Sequence, residues 1–560
     1  MKLVECVPNF SEGRNRATID AISAEIRDTP GAMLLDVDPG AATNRTVVTL
    51  LGTPEAAEEA AFRAIRRAAR LIDMSTHRGE HPRMGATDVC PFVPVEGATM
   101  QDCVEIARRL GRRVAEELGI PVYLYGEAAT RPERRSLQDI RQGEYEALPG
   151  KLKDPSFRPD FGPAEFNARS GATVIGARQF LVAYNANLNT KDRRLANRIA
   201  EELRETGKAK RDAQGKIVKD AHGSPVRVPG RFRECRAVGW YIEEYGRAQI
   251  SFNLTDCTVT PVHAVFDACR EEAAKLGVRV TGSEIVGLIP RQALLDAGDH
   301  YLAVQGQTTG VPEKERIHAA VLSLGLADLS PFDPAQKVIE YRYRGAAKGL
   351  KTLSLSELAD EISTDSPAPG GGSAAALCGA VSAALSSMVA ALTWGKKGME
   401  PLRPAMKEIG EKAQVSKDWF LEAVDRDARA FGAVMAAARL PKATDEERST
   451  RDRAIEAASL GAARVPLEVM EASLQALELS LRAAIHGNPS SVSDAGVAGA
   501  CALACAEGAG LNVRINLPSL ADRRAAEELR HRQDELLSRA RALAAEVREA
   551  VDAVLARSGP

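Results

Sequence analysis

RGEHPRMGATDVCPFVPV, from Arg78 to Val95, is the stretch around which the first half of the chain is organised. It places two acids, Glu80 and Asp88, and two bases, His81 and Arg83, ahead of an apolar segment that predicts a strand. Its prolines restrict the backbone, which stiffens a loop that presents side chains. Because imidazole titrates near neutral pH, His81 is a candidate proton carrier. The alternative is a turn histidine that is hydrogen-bonded to Glu80 or Asp88.

The composition is that of an ordinary soluble globular protein. A chain of 560 residues is too long for one hydrophobic core, and two to four domains are expected. The net charge of -2 indicates no general affinity for nucleic acid, so an anionic ligand needs a local basic site. The nine cysteines are scattered without a CxxC pair, which predicts reduced thiols in a cytoplasmic protein and no metal site.

Strand and helix signals divide the chain. Residues 1–180 read strand, helix, strand, strand, helix, strand, which predicts a two-layer α/β sandwich subdomain of ferredoxin-like style. Residues 181–326 repeat that style as a second subdomain, with a ligand cleft expected between the two. Residues 327–349 predict a linker. From 350 to 560 the strand signals vanish, so the fold class is a multidomain α/β plus all-α protein that ends in an all-helical bundle.

One apolar run, Ser373 to Trp394, is long enough for a membrane helix. Alanine, serine and glycine dominate it, a composition that favours close packing in a buried bundle over contact with lipid. We therefore predict that it is a bundle helix.

Four separated strings resemble one family. HRGEHPRMGATDVCPFVPV, VECVPNFSEGR, WYIEEYGRAQISFNL and TGSEIVGLIP are similar to segments of glutamate formimidoyltransferases, over residues 1 to about 330. The resemblance implies transfer of a formimidoyl group from N-formimidoyl-L-glutamate to tetrahydrofolate, and it puts the catalytic histidine at His81. A rival, His263, falls at a predicted helix start and is interpreted as structural.

The charges of these substrates suggest binding residues. Arg83 and Arg45 are candidates for the two carboxylates of the donor, since guanidinium pairs bidentately with carboxylate. Asp36, Asp38 and Glu80 could accept hydrogen bonds from the amidinium and the pterin. The resemblance also implies a folate-contacting loop, whose residues are Gly162, Pro163, Ala164, Glu165, Phe166, Asn167, Ala168, Arg169, Ser170 and Gly171.

The string PAPGGGSAAALCGA opens the helical half. Its Gly370, Gly371, Gly372 and Ser373 precede a helix whose N-terminus favours an anion, and it lacks the Lys and Thr of a nucleotide-binding loop. Together with VDRDARAF, ARLPKAT and SVSDAGVAG it resembles formimidotetrahydrofolate cyclodeaminases, and single-domain methenyltetrahydrofolate cyclohydrolases share this style.

That second resemblance puts a catalytic aspartate at Asp427. Lys442, Asp494 and the glycine turn are candidate substrate contacts. Asp425 is two positions from Asp427 on a predicted helix, so only one of them can point into a site. Lys396 and Lys397 are further candidates for the folate tail.

These observations together predict a bifunctional enzyme, both transferase and ammonia-lyase, of histidine degradation and one-carbon metabolism. Polyglutamylated tetrahydrofolate is the expected co-substrate, with no metal, nucleic acid or membrane partner. Small-residue helix faces predict a cytoplasmic homo-oligomer. Three alternatives stay open: transfer of a formyl group, hydrolysis of methenyltetrahydrofolate, and a noncatalytic folate-binding scaffold. A helical half that serves only for oligomerisation is also possible from the sequence.

Overall fold

A computed structural model describes residues 2–41, 43–79, 81–221, 223–344 and 349–557. The chain forms two compact units, Met1–Ala297 with Ala320–Ala346, and Gly298–Ala319 with Ala347–Pro560. The first is α/β and the second is helical, so the predicted fold class is confirmed.

The strands lie in the first unit. They are β1 Leu3–Cys6, β2 Asn9–Phe10, β3 Ala32–Gly40, β4 Arg45–Gly52, β5 Thr87–Glu96, β6 Val122–Gly126, β7 Thr173–Ala177, β8 Val182–Leu188, β9 Lys208–Ala209, β10 Arg227–Val228, β11 Cys235–Ile242, β12 Arg247–Leu254 and β13 Val280–Val286.

The helices run through both units. They are α1 Arg16–Arg27, α2 Pro54–Leu71, α3 Met100–Leu118, α4 Leu137–Ile140, α5 Glu144–Lys151, α6 Arg193–Leu203, α7 Val262–Lys275, α8 Arg291–Val304, α9 Glu313–Leu324, α10 Pro334–Lys337, α11 Ile339–Arg344, α12 Leu355–Ile362, α13 Gly371–Trp394, α14 Arg403–Ala438, α15 Asp445–His486, α16 Val492–Asn516 and α17 Arg523–Arg557.

The first subdomain is a mixed sheet covered by helices on one face. β4 pairs antiparallel with β1, β2 and β3, while β5, β7 and β6 run parallel at the other side. Successive residues of a strand face opposite sides, so Val4, Cys6 and Phe10 join the core beneath the helices. Glu5 and Asn9 therefore face the other side of the sheet, away from that core.

The second subdomain is a four-stranded antiparallel sheet in the order β11, β12, β8, β13. Helices α6 and α7 pack on one face, where Tyr184, Ala186 and Phe252 are buried. The repeated α/β style inferred from the sequence is present in both subdomains.

The helical unit consists mainly of long helices. Two of its segments, Gly371–Trp394 and Pro489–Ser519, are long and apolar enough to cross a membrane by length and composition alone. In the bundle, α13 packs against α14 and α16, and its glycine and alanine residues allow close contact. Gly379 shows this closeness, because a Cβ there would lie 2.5 Å from the ring of Phe420.

The segment 327–349, expected as a linker, contains α10 and α11 among its described residues. Ile339 of α11 is buried with Leu3, Leu35 and Leu288 in the first unit, so this part of the segment is packed. The side chain of Arg342 also donates a hydrogen bond to the carbonyl of Leu35. The boundaries drawn from the sequence stay a prediction about which segments fold independently.

Candidate active sites

A cavity of about 990 Å³ lies in the first unit, against the open face of the first sheet. That sheet contributes Glu5, Asn9 and Arg45, and the Arg78 to Val95 stretch contributes His81. Residues of the second subdomain complete the wall, among them Glu205, Glu234, Arg236, Asn253, Thr255 and Asp256. The cavity is therefore the cleft that the sequence predicts between the two subdomains.

His81 is half-buried in the cavity wall. Its Nδ1 lies 2.7 Å from the carbonyl oxygen of Pro82 and 3.2 Å from Nη1 of Arg45. The shorter contact decides the tautomer: a carbonyl oxygen can only accept, so Nδ1 carries the hydrogen of the neutral ring and the longer approach of Arg45 is not a hydrogen bond. Nε2 then has the lone pair, and it has no hydrogen-bond partner among the described residues. This is the tautomer that a proton acceptor needs.

The buried carboxylate of Asp88 holds two arginine side chains beside His81. Asp88 is fully buried at the start of β5, and its carboxylate accepts hydrogen bonds from Arg45, Arg141 and the amide of Met84. Arg45 also donates to Oδ1 of Asn9, through Nε at 3.0 Å and Nη2 at 2.7 Å. Two guanidinium groups share one carboxylate, so this cluster presents a net positive charge to the cavity.

The cluster sets the charge of His81. Burial, with the positive charges of Arg45 and Arg141, lowers the pKa of His81 to about 4, so the ring is neutral at pH 7. Burial would raise the pKa of Asp88, but Arg141 and Arg45 outweigh it and the pKa is lowered. The carboxylate stays ionised and holds both arginines in place.

The acids predicted beside His81 have different positions. Asp38 lines the cavity, and burial and the charge of Asp36 raise its pKa. Asp36 lies opposite Thr49 on β3 and β4 and is not among the cavity-lining residues. Glu80 lies outside the described residues. His263, in the first turn of α7, does not line the cavity.

Arg83 does not reach the cavity. Its side chain is buried, and its guanidinium donates to Glu146 at 2.7 Å and to Glu144 at 3.0 Å. Its Nε also approaches Nδ1 of His77 at 3.3 Å. An arginine that already has two carboxylate partners cannot take a substrate carboxylate without losing them, so its placement gives no support to the predicted substrate contact.

The loop 162–171 is also away from the cavity, and no residue of it lines the wall. The loop instead packs against the Arg78 to Val95 stretch, where the amide of Ala86 donates a hydrogen bond to the carbonyl of Ser170 at 2.9 Å. Gly171 has φ +66°, and a Cβ there would lie 2.1 Å from the carbonyl oxygen of Met84. Its terminal glycines thus allow a close approach of backbone to backbone, where the sequence had suggested approach to a flat ring.

In the helical unit the predicted glycine turn and the predicted aspartate meet. Oγ of Ser373 donates to Oδ2 of Asp427 at 2.9 Å, and a Cβ on Gly372 would lie 2.2 Å from Oδ1. Burial raises the pKa of Asp427, and the bond from Ser373 opposes that rise only in part. Asp425 points elsewhere, since it is buried and accepts from the amide of Leu350 at 2.6 Å.

The other residues proposed for the helical site are dispersed. Asp494 lies in the first turn of α16, whereas Asn512 of the same helix approaches Gly371. Eighteen residues of helix separate these two positions by about 27 Å, so Asp494 is remote from Asp427 in this unit. Lys442 is exposed in the connection between α14 and α15, and Lys396 donates to Asn488 at 2.8 Å.

Within the described ranges, no group of three or more His, Cys, Asp or Glu side chains is arranged to hold a metal ion. The nine cysteines are unpaired.

Comparison with known proteins accounts for nearly the whole chain. Residues 3–178 match the formiminotransferase domain, N-terminal subdomain, residues 183–344 match the formiminotransferase domain, and residues 354–535 match the formiminotransferase-cyclodeaminase model. A formimidoyltransferase-cyclodeaminase of Mus musculus is 46% identical over 99% of both chains. The chain belongs to the formimidoyltransferase-cyclodeaminase family.

Each half of this family member also has separate relatives. A glutamate formimidoyltransferase of Streptococcus pyogenes is 41% identical and aligns with 54% of this chain and 94% of its own length. A methenyltetrahydrofolate cyclohydrolase of Methylorubrum extorquens is 40% identical over 34% of this chain and 92% of its own. The family resemblances inferred from the sequence are confirmed for both halves.

Sequence reasoning missed several residues of the transferase cavity. Arg141, Arg135 and Arg178 line it, and the first two come from the irregular, arginine-rich stretch between β6 and β7. That accumulation of charge in a segment without periodicity was the available signal. Glu5 gave none, because a single acid in an apolar strand is identified only once its face of the sheet is known.

Proposed function

We propose that the first unit transfers the formimidoyl group of N-formimidoyl-L-glutamate to N5 of tetrahydrofolate, releasing L-glutamate. The helical unit then closes 5-formimidoyltetrahydrofolate to 5,10-methenyltetrahydrofolate and releases ammonia. Membership of the family over the full chain supports both activities. The observation that carries the first one is a neutral His81 on the wall of a cavity next to two clustered arginines.

His81 is the proton relay of the transfer. As N5 of the folate bonds to the amidine carbon, N5 loses a proton, which Nε2 of His81 accepts. The imidazolium then returns it to the glutamate nitrogen as the bond between that nitrogen and the carbon breaks. The low pKa of the free site keeps His81 in the neutral form that can accept a proton. The donor's carboxylates then offset the arginine charges, which restores the basicity needed to hold the proton.

Arg45 and Arg141 attract the carboxylates of the donor. They share Asp88, so the net positive charge of the cluster is left for a ligand. Arg135 and Arg236 also line the cavity and are suited to the glutamate tail of the folate. Asp38 lines the cavity and can accept a hydrogen bond from the amidinium. The role proposed for the other candidates is structural: they help to hold the fold around this site without contacting the substrate. These are Arg83, Asp36 and the loop 162–171.

Asp427 is the proton carrier of the helical unit. N10 of the folate attacks the carbon of the neutral amidine, the N10 proton passes to the imine nitrogen, and a second proton from Asp427 lets that nitrogen leave as ammonia. Burial raises the pKa of Asp427, which favours the protonated form that a proton donor needs, and as a carboxylate it then stabilises the methenyl cation. Ser373 and Gly372 hold and enclose it, and the exposed Lys442 is available for the folate tail.

We further propose that the enzyme is a cytoplasmic homo-oligomer that prefers polyglutamylated folate in histidine breakdown. Unpaired cysteines fit a reducing compartment, and exposed apolar residues on α13 and α16, such as Val381, Met388 and Leu511, fit subunit packing. A second candidate for the helical unit is hydrolysis of methenyltetrahydrofolate, which the Methylorubrum relative favours.

Incubation of the whole chain with tetrahydrofolate and formimidoylglutamate tests the main proposal. Release of glutamate and ammonia in equal amounts, with methenyl absorbance, is expected. Formylglutamate as sole donor, and methenyltetrahydrofolate as sole substrate, test the alternatives. Glutamate release without ammonia would restrict the chain to the first activity, and stoichiometric folate binding without turnover would leave only a scaffold.

A further inference from the structure

Glu5 is a buried carboxyl that faces the transferase cavity without a partner. Its exposure is 4%, it lines the cavity, and its carboxylate makes no hydrogen bond with any described residue. Burial raises its pKa to about 7 even though Arg178 lowers it, while Glu340 on α11 adds to the rise. A buried acid without partners is costly unless a ligand supplies the hydrogen bonds.

The surroundings of Glu5 are apolar. Leu51 lies opposite it on β4, and Leu3 precedes it on the same face of β1. Both belong to a cluster with Leu288, Ile339 and Phe180, and these last three line the cavity. This end of the cavity therefore offers apolar walls and one carboxyl, which suits a flat ring whose edge carries N–H donors.

Glu5 lies away from the point at which the sheet holds the His81 cluster. On β5, Val93 pairs with Glu5 and Val89 pairs with Asn9, so four strand residues separate the two positions by about 13 Å. Asn9 is the residue that holds Arg45 beside His81. The amidine carbon and N5 must meet at His81, so Glu5 contacts a part of a substrate other than its reacting atoms.

We propose that Glu5 binds the 2-amino and N3–H edge of the pterin and is the residue that selects the folate. Two adjacent N–H donors match the two oxygens of one carboxylate. The donor substrate offers N–H groups only at its amidine and its nitrogen, which are required at His81. This inference rests on the proposed transfer of the formimidoyl group to tetrahydrofolate.

The test compares two acceptors in three proteins. Tetrahydrofolate and its 2-desamino-2-methyl analogue, which lacks the amino donor, are given to the wild type, Glu5→Gln and Glu117→Gln. The last is a matched control, because Glu117 is exposed on α3 and pairs with Arg113. Glutamate release is followed, so the helical unit does not enter the measured kcat/KM.

The wild type and Glu117→Gln are expected to use the analogue about 10- to 100-fold less well than tetrahydrofolate. Glu5→Gln is expected to lose about the same factor with tetrahydrofolate and little more with the analogue, because both changes remove one interaction. Fully additive losses, or unchanged kcat/KM for tetrahydrofolate in Glu5→Gln, would overturn the assignment.

Two further results keep the test decisive. If Glu5→Gln does not fold, Glu5→Asp keeps the charge and withdraws it by one methylene, and the same comparison is made. A wild type that uses both acceptors equally overturns the role of Glu5 without any variant. A wild type that releases no glutamate with tetrahydrofolate instead refutes the proposed function itself.

Discussion

The two sites treat their proton carriers in opposite ways. His81 is half-buried beside Arg45 and Arg141, and both burial and positive charge keep it neutral. Asp427 is held by Ser373, and burial raises its pKa. One site is prepared to accept a proton from an amine, and the other to give one to departing ammonia. The surroundings of each side chain therefore assign the base and acid roles in the two halves of one enzyme.

The largest expected effects come from removing each proton carrier in turn, because each variant should lose one activity and keep the other. His81→Ala removes the proton acceptor and is expected to lower glutamate release by about 10²- to 10⁴-fold, while leaving cyclisation of supplied 5-formimidoyltetrahydrofolate intact. Asp427→Ala is expected to do the reverse, as followed by ammonia release.

His318→Ala, an exposed histidine on α9, and Asp418→Ala, an ion-paired residue on α14, are the matched controls for these variants. Loss of both activities in either active-site variant, with folding preserved, would contradict the division of labour.

Substitutions at two glycines distinguish an effect on folding stability from an effect on the position of a catalytic side chain. Gly171→Ala forces a side chain into a left-handed conformation and onto the backbone of Met84, which is expected to cost about 1–2 kcal/mol for the conformation and about 1–3 kcal/mol for the clash. Thermal unfolding of the first unit should therefore shift downward, and glutamate release should fall with it.

Gly372→Ala meets the carboxylate of Asp427, the end of a side chain that can move. It is expected to lower ammonia release by at least tenfold while the unfolding temperature changes little. An unchanged cyclisation rate would show that Asp427 does not need its present position. Gly432→Ala, with open space around its Cβ on α14, is the control.

The pH dependence of the two halves should differ in sign. With tetrahydrofolate saturating, kcat/KM for the donor requires neutral His81 and is lost as pH falls through about 4. Cyclisation requires protonated Asp427 and is lost as pH rises through its raised pKa. Separate pH profiles of glutamate release and ammonia release check this. Two activities that both fall toward low pH, or both toward high pH, would contradict it.

At limiting tetrahydrofolate, the pH profile of glutamate release should show a second decrease toward low pH, caused by protonation of Glu5. Its carboxylate form binds the pterin, so kcat/KM for tetrahydrofolate falls as pH drops through about 7, by up to tenfold per pH unit. Arg178 and Glu340 are the charged groups that act on it. Glu5→Gln should abolish this limb, and its persistence in the variant would assign it to another group.

The smallest expected effect concerns the folate tail. Lys442 is exposed, so Lys442→Ala is expected to raise KM for polyglutamylated 5-formimidoyltetrahydrofolate by only about 2- to 5-fold, because exposed ion pairs contribute up to about 1 kcal/mol. Lys397→Ala is the comparison. Equal KM values for monoglutamate and polyglutamate substrates in the wild type would remove the reason for a tail contact.

The sequence alone determined the element types, the change from α/β to helical organisation, and the motifs that carry the family resemblance. Periodicity and glycine turns are local, so they specify how His81 and Asp427 are presented. Which charged side chains pair with each other depends on the three-dimensional fold. Asp88 takes Arg45 and Arg141, from 43 and 53 residues away, and Arg83 turns to Glu144 and Glu146. Contacts between distant segments depend on the order of the strands in the sheet and on the face to which each side chain points. A local sequence pattern does not contain that information.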